Sequence, residues 1–128
     1  MKYLLDTHVI IWLAKKDNEK LSSKSMEIIR SQDSQLFISI ISFWEIALKM
    51  NNGKLVLGIS LDTLFDNIEK SGITITSIEK EYILCLSTLP PVHKDPFDRL
   101  LITTALIEDM TLLTADENNQ KYDVPWIW

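Results

Sequence analysis

Apolar residues recur along the chain with two different spacings, and the alternation between them predicts strands followed by helices. Lys2 to Leu5 form a short apolar run that ends at Asp6, and apolar positions then return at helical spacing through Leu13. Further strand-like segments cover residues 35–40, 73–76 and 111–114, and further helical patterns cover residues 22–30, 42–52, 61–70, 79–86 and 97–110. Strands that alternate with helices predict a three-layer α/β/α fold with a central, mostly parallel sheet.

Local start and stop signals support these boundaries. Ser42 opens the third predicted helix, and the Asn-Asn-Gly run at residues 51–53 ends it. Gly72 ends the fourth helix, and the two prolines at 90–91 break the chain after the fifth. Asp95-Pro96 is a strong helix start, because proline is favoured at the first helical position. The aromatic segment 125–128 is expected to dock, as an edge strand or at a subunit contact.

Size and composition predict one compact domain covering residues 1–128. The chain has 128 residues, of which 46% are hydrophobic, enough for one buried core. The single cysteine, Cys85, lies in an apolar stretch, where we expect it to be a buried small hydrophobe. It allows no disulfide within the chain, which fits a reducing cytosol. The first 16 residues contain Asp6 and His8, which argues against a signal peptide, and no segment predicts a membrane span.

Acidic residues stand where the predicted strands give way to helices. Ligands of open parallel sheets bind beyond the carboxyl ends of the strands. Four acids lie at such places: Asp6, Glu45, Asp98 and Asp116. Each also has a structural interpretation. Asp6 suits a cap of the first helix, Ser42 with Glu45 matches a capping box, Asp98 suits the first turn of a helix, and Asp116 suits a turn with Asn118 and Asn119. Asp95 is interpreted as a helix cap.

Taken together, the four acids favour a cation site. Carboxylates a few Å apart repel one another unless a cation holds them. Sites made only of oxygen select Mg²⁺ or Mn²⁺, whereas zinc prefers the cysteine and histidine that are scarce in this chain. Such a site can activate water and orient a phosphodiester, so phosphodiester hydrolysis is the predicted reaction.

The net charge of −5 argues against a surface that grips nucleic acid throughout. Cations bound by the acids would offset most of this charge. Lys49, Lys54 and Arg99 flank the acidic segments and are candidates for contact with an RNA backbone, although charged residues at such places are often only solvated. A net negative charge with only a few basic residues near the acids favours a narrow range of RNA substrates.

Several motifs occur in one order along nearly the whole chain. They are LLDTH at residues 4–8 with Trp12, SFWEIALK at 42–49 with Gly53-Lys54, HKDPFDRLL at 93–101 and LTAD at 113–116. Together they resemble the PIN-domain toxins of the VapC type. The resemblance implies a parallel sheet between helices and an endoribonuclease that depends on Mg²⁺ or Mn²⁺. It also implies a homodimer that is silenced by a cognate antitoxin.

The resemblance assigns roles to individual residues. Its acids fall on Asp6, Glu45 and Asp98, and Asp116 occupies the fourth, more variable acidic position. Ser42 and Thr114 correspond to hydroxyl positions that could bond carboxylates or metal-bound waters. We interpret His8 and His93 as structural, and Trp12 and Trp44 as packing residues at helical core spacing.

Other function classes stay open or are excluded by the residues present. A haloacid-dehalogenase-like phosphatase or a receiver domain also places an aspartate after the first strand, but the phosphatase needs a second aspartate where His8 stands and the receiver needs an adjacent acidic pair. A catalytically silent PIN-like binding module is the non-enzyme alternative. The three glycines form no phosphate-binding loop, and no nucleophile elbow is present.

Overall fold

The computed structural model describes residues 1–128, and its centre is a five-stranded sheet in the order β3-β2-β1-β4-β5. The strands are β1 Lys2–Leu5, β2 Gln35–Ser39, β3 Thr74–Thr76, β4 Thr111–Leu113 and β5 Trp126–Ile127. All four pairings are parallel. A receiver-type sheet would have the order 2-1-3-4-5. The observed order therefore argues against the receiver alternative.

Seven helices connect the strands and cover the sheet. They are α1 Thr7–Lys15, α2 Ser23–Arg30, α3 Ile40–Asn51, α4 Leu61–Lys70, α5 Lys80–Leu86, α6 Pro96–Glu108 and α7 Glu117–Gln120. A short 3-10 turn, Asn18–Lys20, follows α1. None of these helices is both long enough and apolar enough to cross a membrane.

The two faces of the sheet are buried in separate hydrophobic clusters. Leu5 and Leu113 point into one cluster, whereas their neighbours Leu4 and Leu112 point into the other. This is the alternation expected of strands whose side chains face opposite sides. Because both faces are covered, the strands read as continuous apolar runs. The predicted three-layer α/β/α architecture is confirmed.

Some predicted boundaries and environments were wrong. Helix α3 begins at Ile40, and the Ser39 side chain caps it by accepting a hydrogen bond from the Ile41 N–H at 3.1 Å. Cys85 is half-buried, because α5 is an outer helix that turns Tyr82 inward instead. Trp44 is 57% exposed and touches Phe97 edge-on, with ring centroids 5.3 Å apart. The predicted edge strand at the chain end is confirmed as β5.

Candidate metal centre

Asp6 lies at the carboxyl end of the central strand and is 1% exposed. It occupies the N-cap position of α1, but its side chain makes no capping hydrogen bond. Instead, its Oδ2 accepts hydrogen bonds from Thr114 Oγ1 at 2.6 Å and from Asn119 Nδ2 at 3.4 Å. Its Oδ1 is buried without a hydrogen-bond partner. The capping interpretation of Asp6 is therefore wrong, while the predicted hydroxyl contact from Thr114 to a carboxylate is confirmed.

Glu45 lies inside α3 and is 5% exposed. Because Ser39 caps this helix, the capping-box interpretation of Ser42 and Glu45 is wrong. The Ser42 hydroxyl accepts a hydrogen bond from Thr7 Oγ1 at 2.9 Å, which ties α3 to α1. Lys49 Nζ lies 3.0 Å from Glu45 Oε2, whereas Glu45 Oε1 is buried without a partner. One oxygen of this buried carboxylate is thus neutralised and the other is not.

Asp98 lies in the first turn of α6 and is 8% exposed. Asp95 caps the helix, as predicted, by accepting hydrogen bonds from the N–H groups of Phe97 and Asp98. Burial raises the pKa of Asp98 to about 8, and the negative charges of nearby acids add to the rise; these acids are Asp6, Asp95 and Glu45. Asp6 and Glu45 therefore lie close enough to Asp98 to disfavour its ionised form.

Asp116 is placed next to Asp6 but is differently engaged. It caps the short helix α7, where its Oδ1 accepts a hydrogen bond from the Asn118 N–H at 2.8 Å. Asp6 and Asp116 both line a cavity of about 170 Å³ together with His8, Trp12 and Ala115. Burial raises the pKa of Asp6, hydrogen bonding by Thr114 counteracts the rise, and the charge of Asp116 adds to it. A role of Asp116 as a ligand stays a prediction.

Asn119 lies beside Asp6, whereas the sequence indicated only a turn residue at this position. It is 0% exposed, and its amide nitrogen faces Asp6 Oδ2 at 3.4 Å and Thr114 Oγ1 at 3.5 Å. Its carbonyl oxygen, Oδ1, is buried without a partner. The sequence signal that could have found it is its position three residues after Asp116, one turn into the segment that follows β4.

The donor set fits a hard divalent cation. Unpartnered buried polar atoms are rare, and each costs about 1–3 kcal/mol. Four occur in this chain, and three of them are oxygens at the acid-lined edge, on the side chains of Asp6, Glu45 and Asn119. Oxygen donors of this kind suit Mg²⁺ or Mn²⁺. No group of three acid, histidine or cysteine side chains is arranged so that it could hold a metal ion as it stands, so the fit rests on the chemistry of the oxygen ligands and not on a preformed geometry.

The predicted RNA-contacting residues differ in how free they are. Lys54 is exposed, and its side chain makes no hydrogen bond or ion pair. Lys49 is paired with Glu45. Arg99 donates hydrogen bonds to the carbonyl oxygens of Leu89 and Pro90, at 3.3 and 3.0 Å. A phosphate would therefore meet Lys54 without competition, but would compete with internal partners for the other two.

The aromatic and histidine residues near the acids have distinct environments. His8 is exposed and lies against Trp12, with ring centroids 5.9 Å apart. Trp12 is half-buried and also contacts Trp128 at 5.8 Å, consistent with its predicted packing role. His93 is not a simple packing residue, because its Nε2 lies 3.3 Å from Asp98 Oδ2.

Comparisons of sequence with known proteins give one consistent result. The profile of the PIN domain family matches residues 3–125. The chain is 29% identical over 126 residues to Ribonuclease VapC22 of Mycobacterium tuberculosis, and the match covers 95% of this chain and 92% of that protein.

Comparison of the fold agrees. VapBC2 from Rickettsia felis, solved with a DNA fragment from its promoter, aligns with a TM-score of 0.75 at 17% identity, over 99% of this chain and 98% of that one. VapBC-1 from nontypeable Haemophilus influenzae aligns with a TM-score of 0.72 at 18% identity, over 99% and 97% of the two chains. At these identities the likeness supports the fold alone.

Proposed function

The chain belongs to the PIN domain family, and from that premise we propose that it is a metal-dependent endoribonuclease, the toxin of a toxin–antitoxin pair that acts in the cytoplasm. The observation that carries the proposal is the set of buried oxygens without partners on Asp6, Glu45 and Asn119, at an edge where Asp98 is also buried. The test compares the purified protein in Mn²⁺ with the same protein in EDTA: it should cleave RNA in Mn²⁺ and leave RNA intact in EDTA.

Asp6, Glu45 and Asp98 are the proposed ligands of Mg²⁺ or Mn²⁺, with Asp116 as a fourth acid that acts directly or through water. When bound, the cation supplies an activated water and offsets charge on the phosphodiester. Thr114 holds Asp6 Oδ2 by a 2.6 Å hydrogen bond, which leaves Asp6 Oδ1 free to bind the cation. Lys49 holds Glu45 Oε2 in the same way and leaves Glu45 Oε1 free.

The alternatives are weaker. Membership of the PIN domain family does not favour a phosphoaspartate enzyme, and His8 stands where a phosphatase needs its second aspartate. A silent binding module would have no need for three buried acids, because an unpaired buried charge is costly to the fold. A protein that binds RNA but leaves it uncleaved in Mn²⁺ would favour that module over the nuclease.

Lys54 is the clearest candidate for a phosphate contact. Lys54→Ala should weaken RNA binding and lower the slope of log K against log salt by about 1, because one fewer counterion is released. The matched control is Lys24→Ala, since Lys24 is also exposed but lines a cavity with Met1 and Ser34 at the amino ends of the strands. Equal salt slopes for the two variants would assign Lys54 to the solvated surface.

The antitoxin and the second subunit are proposed from the family resemblance and from the similarity to Ribonuclease VapC22, while the aligned structures of VapBC2 and VapBC-1 support the fold. An exposed apolar stripe on α3 supports the homodimer. Ile40, Trp44 and Leu48 recur at four-residue spacing and are 36%, 57% and 45% exposed. Residues so spaced share one helix face. Exposed apolar patches of this kind mark interaction surfaces.

Trp44→Lys should therefore convert the dimer to a monomer at micromolar concentration. A buried aromatic anchor typically contributes about 2 kcal/mol or more to an interface, which is about a 30-fold change in the dissociation constant. Light scattering coupled to gel filtration measures the mass directly. Val56→Lys is the control, because Val56 is 77% exposed but lies outside the stripe. A wild-type protein that is already monomeric, or a dimeric Trp44→Lys variant, would contradict this interface.

A further inference from the structure

His93 connects the Asp98 carboxylate to a tyrosine near the other end of the chain. Its Nε2 lies 3.3 Å from Asp98 Oδ2, and its Nδ1 lies 2.8 Å from the hydroxyl oxygen of Tyr122. The His93 side chain is only 14% exposed, and Tyr122 is buried. Both ring nitrogens therefore have a protein partner, and the hydrogen bond with Tyr122 decides which nitrogen carries the proton.

The Tyr122 hydroxyl is already occupied as an acceptor. It accepts hydrogen bonds from Arg99 Nη1 at 3.0 Å and from the main-chain N–H of His93 at 3.3 Å. Both of these N–H groups can only donate, whereas a phenol can also donate its own proton. His93 Nδ1 is therefore the one polar neighbour that can accept, and the Tyr122 O–H donates to it.

Arg99 gives this chain of hydrogen bonds its direction. A guanidinium only donates, and it stays protonated in proteins. The same Arg99 group is anchored by the carbonyl oxygens of Leu89 and Pro90, at the proline break. Arg99 is therefore a fixed donor at one end of this series of hydrogen bonds. If the bond between Tyr122 and His93 were reversed, the Tyr122 hydroxyl would face three donors.

An acceptor Nδ1 places the proton of the neutral imidazole on Nε2, which faces Asp98. We propose that Arg99, Tyr122 and His93 form a relay that positions the Asp98 carboxylate for the cation by donating a hydrogen bond to its Oδ2. The relay rests on the proposed function in one respect, the assignment of Asp98 as a ligand. It holds one carboxylate oxygen and leaves the other to the cation, as outer hydrogen bonds do for ligands of metal sites.

Removing the Tyr122 hydroxyl tests the relay with little change in shape. In Tyr122→Phe, no hydroxyl donates to Nδ1, so only Asp98 favours the proton on Nε2 and the imidazole can also adopt the tautomer whose Nε2 lone pair faces the carboxylate. Loss of such outer partners costs about 10- to 100-fold in metal affinity. We expect Tyr122→Phe to bind Mn²⁺ at least about tenfold more weakly than the wild type, measured by calorimetry on the full chain without RNA.

Tyr82→Phe is the matched control. Tyr82 is also buried, and its hydroxyl donates to Glu108 at 3.2 Å. Glu108 is the last residue of α6, at the opposite end of the helix from Asp98. This variant also removes a hydroxyl from a buried tyrosine, but it should keep its Mn²⁺ affinity within about twofold of wild type, because no ligand of the cation depends on it. Equal affinities of Tyr122→Phe and Tyr82→Phe would overturn the relay. So would a wild-type protein that binds no Mn²⁺.

A second readout observes the tautomer itself. The chain has two histidines, so the ¹⁵N imidazole spectrum is simple to assign through a His8→Gln variant. The relay predicts that metal-free wild-type His93 carries its neutral-form proton on Nε2, and that Tyr122→Phe mixes the two tautomers. A wild-type His93 with its proton on Nδ1 would overturn the assignment, even if a Tyr122 variant failed to fold.

Substitution of His93 separates positioning from packing. A glutamine amide nitrogen can take the place of Nε2 and donate to Asp98, so His93→Gln should retain more Mn²⁺ affinity than His93→Ala. Equal losses in both variants would overturn the role of the donated hydrogen bond. None of these readouts uses RNA. A wild-type protein that binds Mn²⁺ through the relay but cleaves no RNA would refute the proposed function and leave the relay intact.

Discussion

Asp98→Asn protein should be more stable than the wild type at neutral and alkaline pH when both are free of metal. In Mn²⁺, its rate of RNA cleavage should be more than about 100-fold lower than that of the wild type, because loss of a metal ligand should cost more than loss of an outer hydrogen-bond partner. The gain in stability follows from the environment of Asp98, where burial and the charges of neighbouring acids disfavour the ionised carboxylate. Asparagine has nearly the same shape and carries no charge.

The pH dependence of this gain has a definite sign. The pKa of Asp98 is raised in the folded protein to about 8, against an unfolded value of about 3.9. Between these values the folded protein keeps a proton that the unfolded chain has lost, so wild-type stability falls as pH rises, by at most about 1.4 kcal/mol per pH unit for this group. The stability gap between Asp98→Asn and wild type should widen from about pH 4 to about pH 8 and then stay constant.

Thermal melts in EDTA and in Mn²⁺ measure both effects. Wild type should gain about 2.7 kcal/mol at a Mn²⁺ concentration about 100 times the Kd, and Asp98→Asn should gain far less. Asp62→Asn is the matched control, because Asp62 is a first-turn acid of α4 as Asp98 is of α6. Its loss should cost about 0.3–1 kcal/mol and leave the metal response unchanged. An Asp98→Asn protein that behaves like Asp62→Asn would remove Asp98 from the ligand set.

Expression of the wild-type chain alone should arrest bacterial growth, and Asp6→Asn should abolish the arrest. Asp6 is the most buried of the three acids, and asparagine can keep the hydrogen bond from Thr114 while losing the charge that binds the cation. Colony counts after induction, with matched protein levels by immunoblot, give the result. Asp62→Asn should remain toxic. Equal toxicity of wild type and Asp6→Asn would mean that the arrest does not come from nuclease action.

The strand and helix order was predictable because the chain carries strong local signals. Apolar runs that bury both faces of a strand, and the Asp95-Pro96 start of α6, are visible without tertiary information. The start of α3 was not predictable, because β2 passes directly into the helix at Ile40 without a turn residue to mark the change. The misplaced boundary made Ser42 look like a cap, when it is an interior residue bonded to Thr7.

The acids could be placed at one edge from topology, but their partners could not. Tyr122 reaches His93 across 29 positions of the chain, and Asn119 reaches Asp6 across 113. Such pairs depend on how α7 and the final segment fold back over the sheet, which no local pattern encodes. The exposure of Trp44 was missed for a related reason, since helical spacing shows that residues share a face but not whether another element covers it.

Incubation of a panel of RNAs with the purified protein, in Mn²⁺ and in excess EDTA, is the most direct test of the proposed metal-dependent ribonuclease. Asp6→Asn and Asp62→Asn are run in parallel, and the ends of any fragments are mapped. We expect discrete internal cleavage by wild type and Asp62→Asn in Mn²⁺, none in EDTA, and none by Asp6→Asn in either condition. Cleavage by wild type that persists in excess EDTA, or equal cleavage by Asp6→Asn in Mn²⁺, would contradict a metal-dependent mechanism at this site.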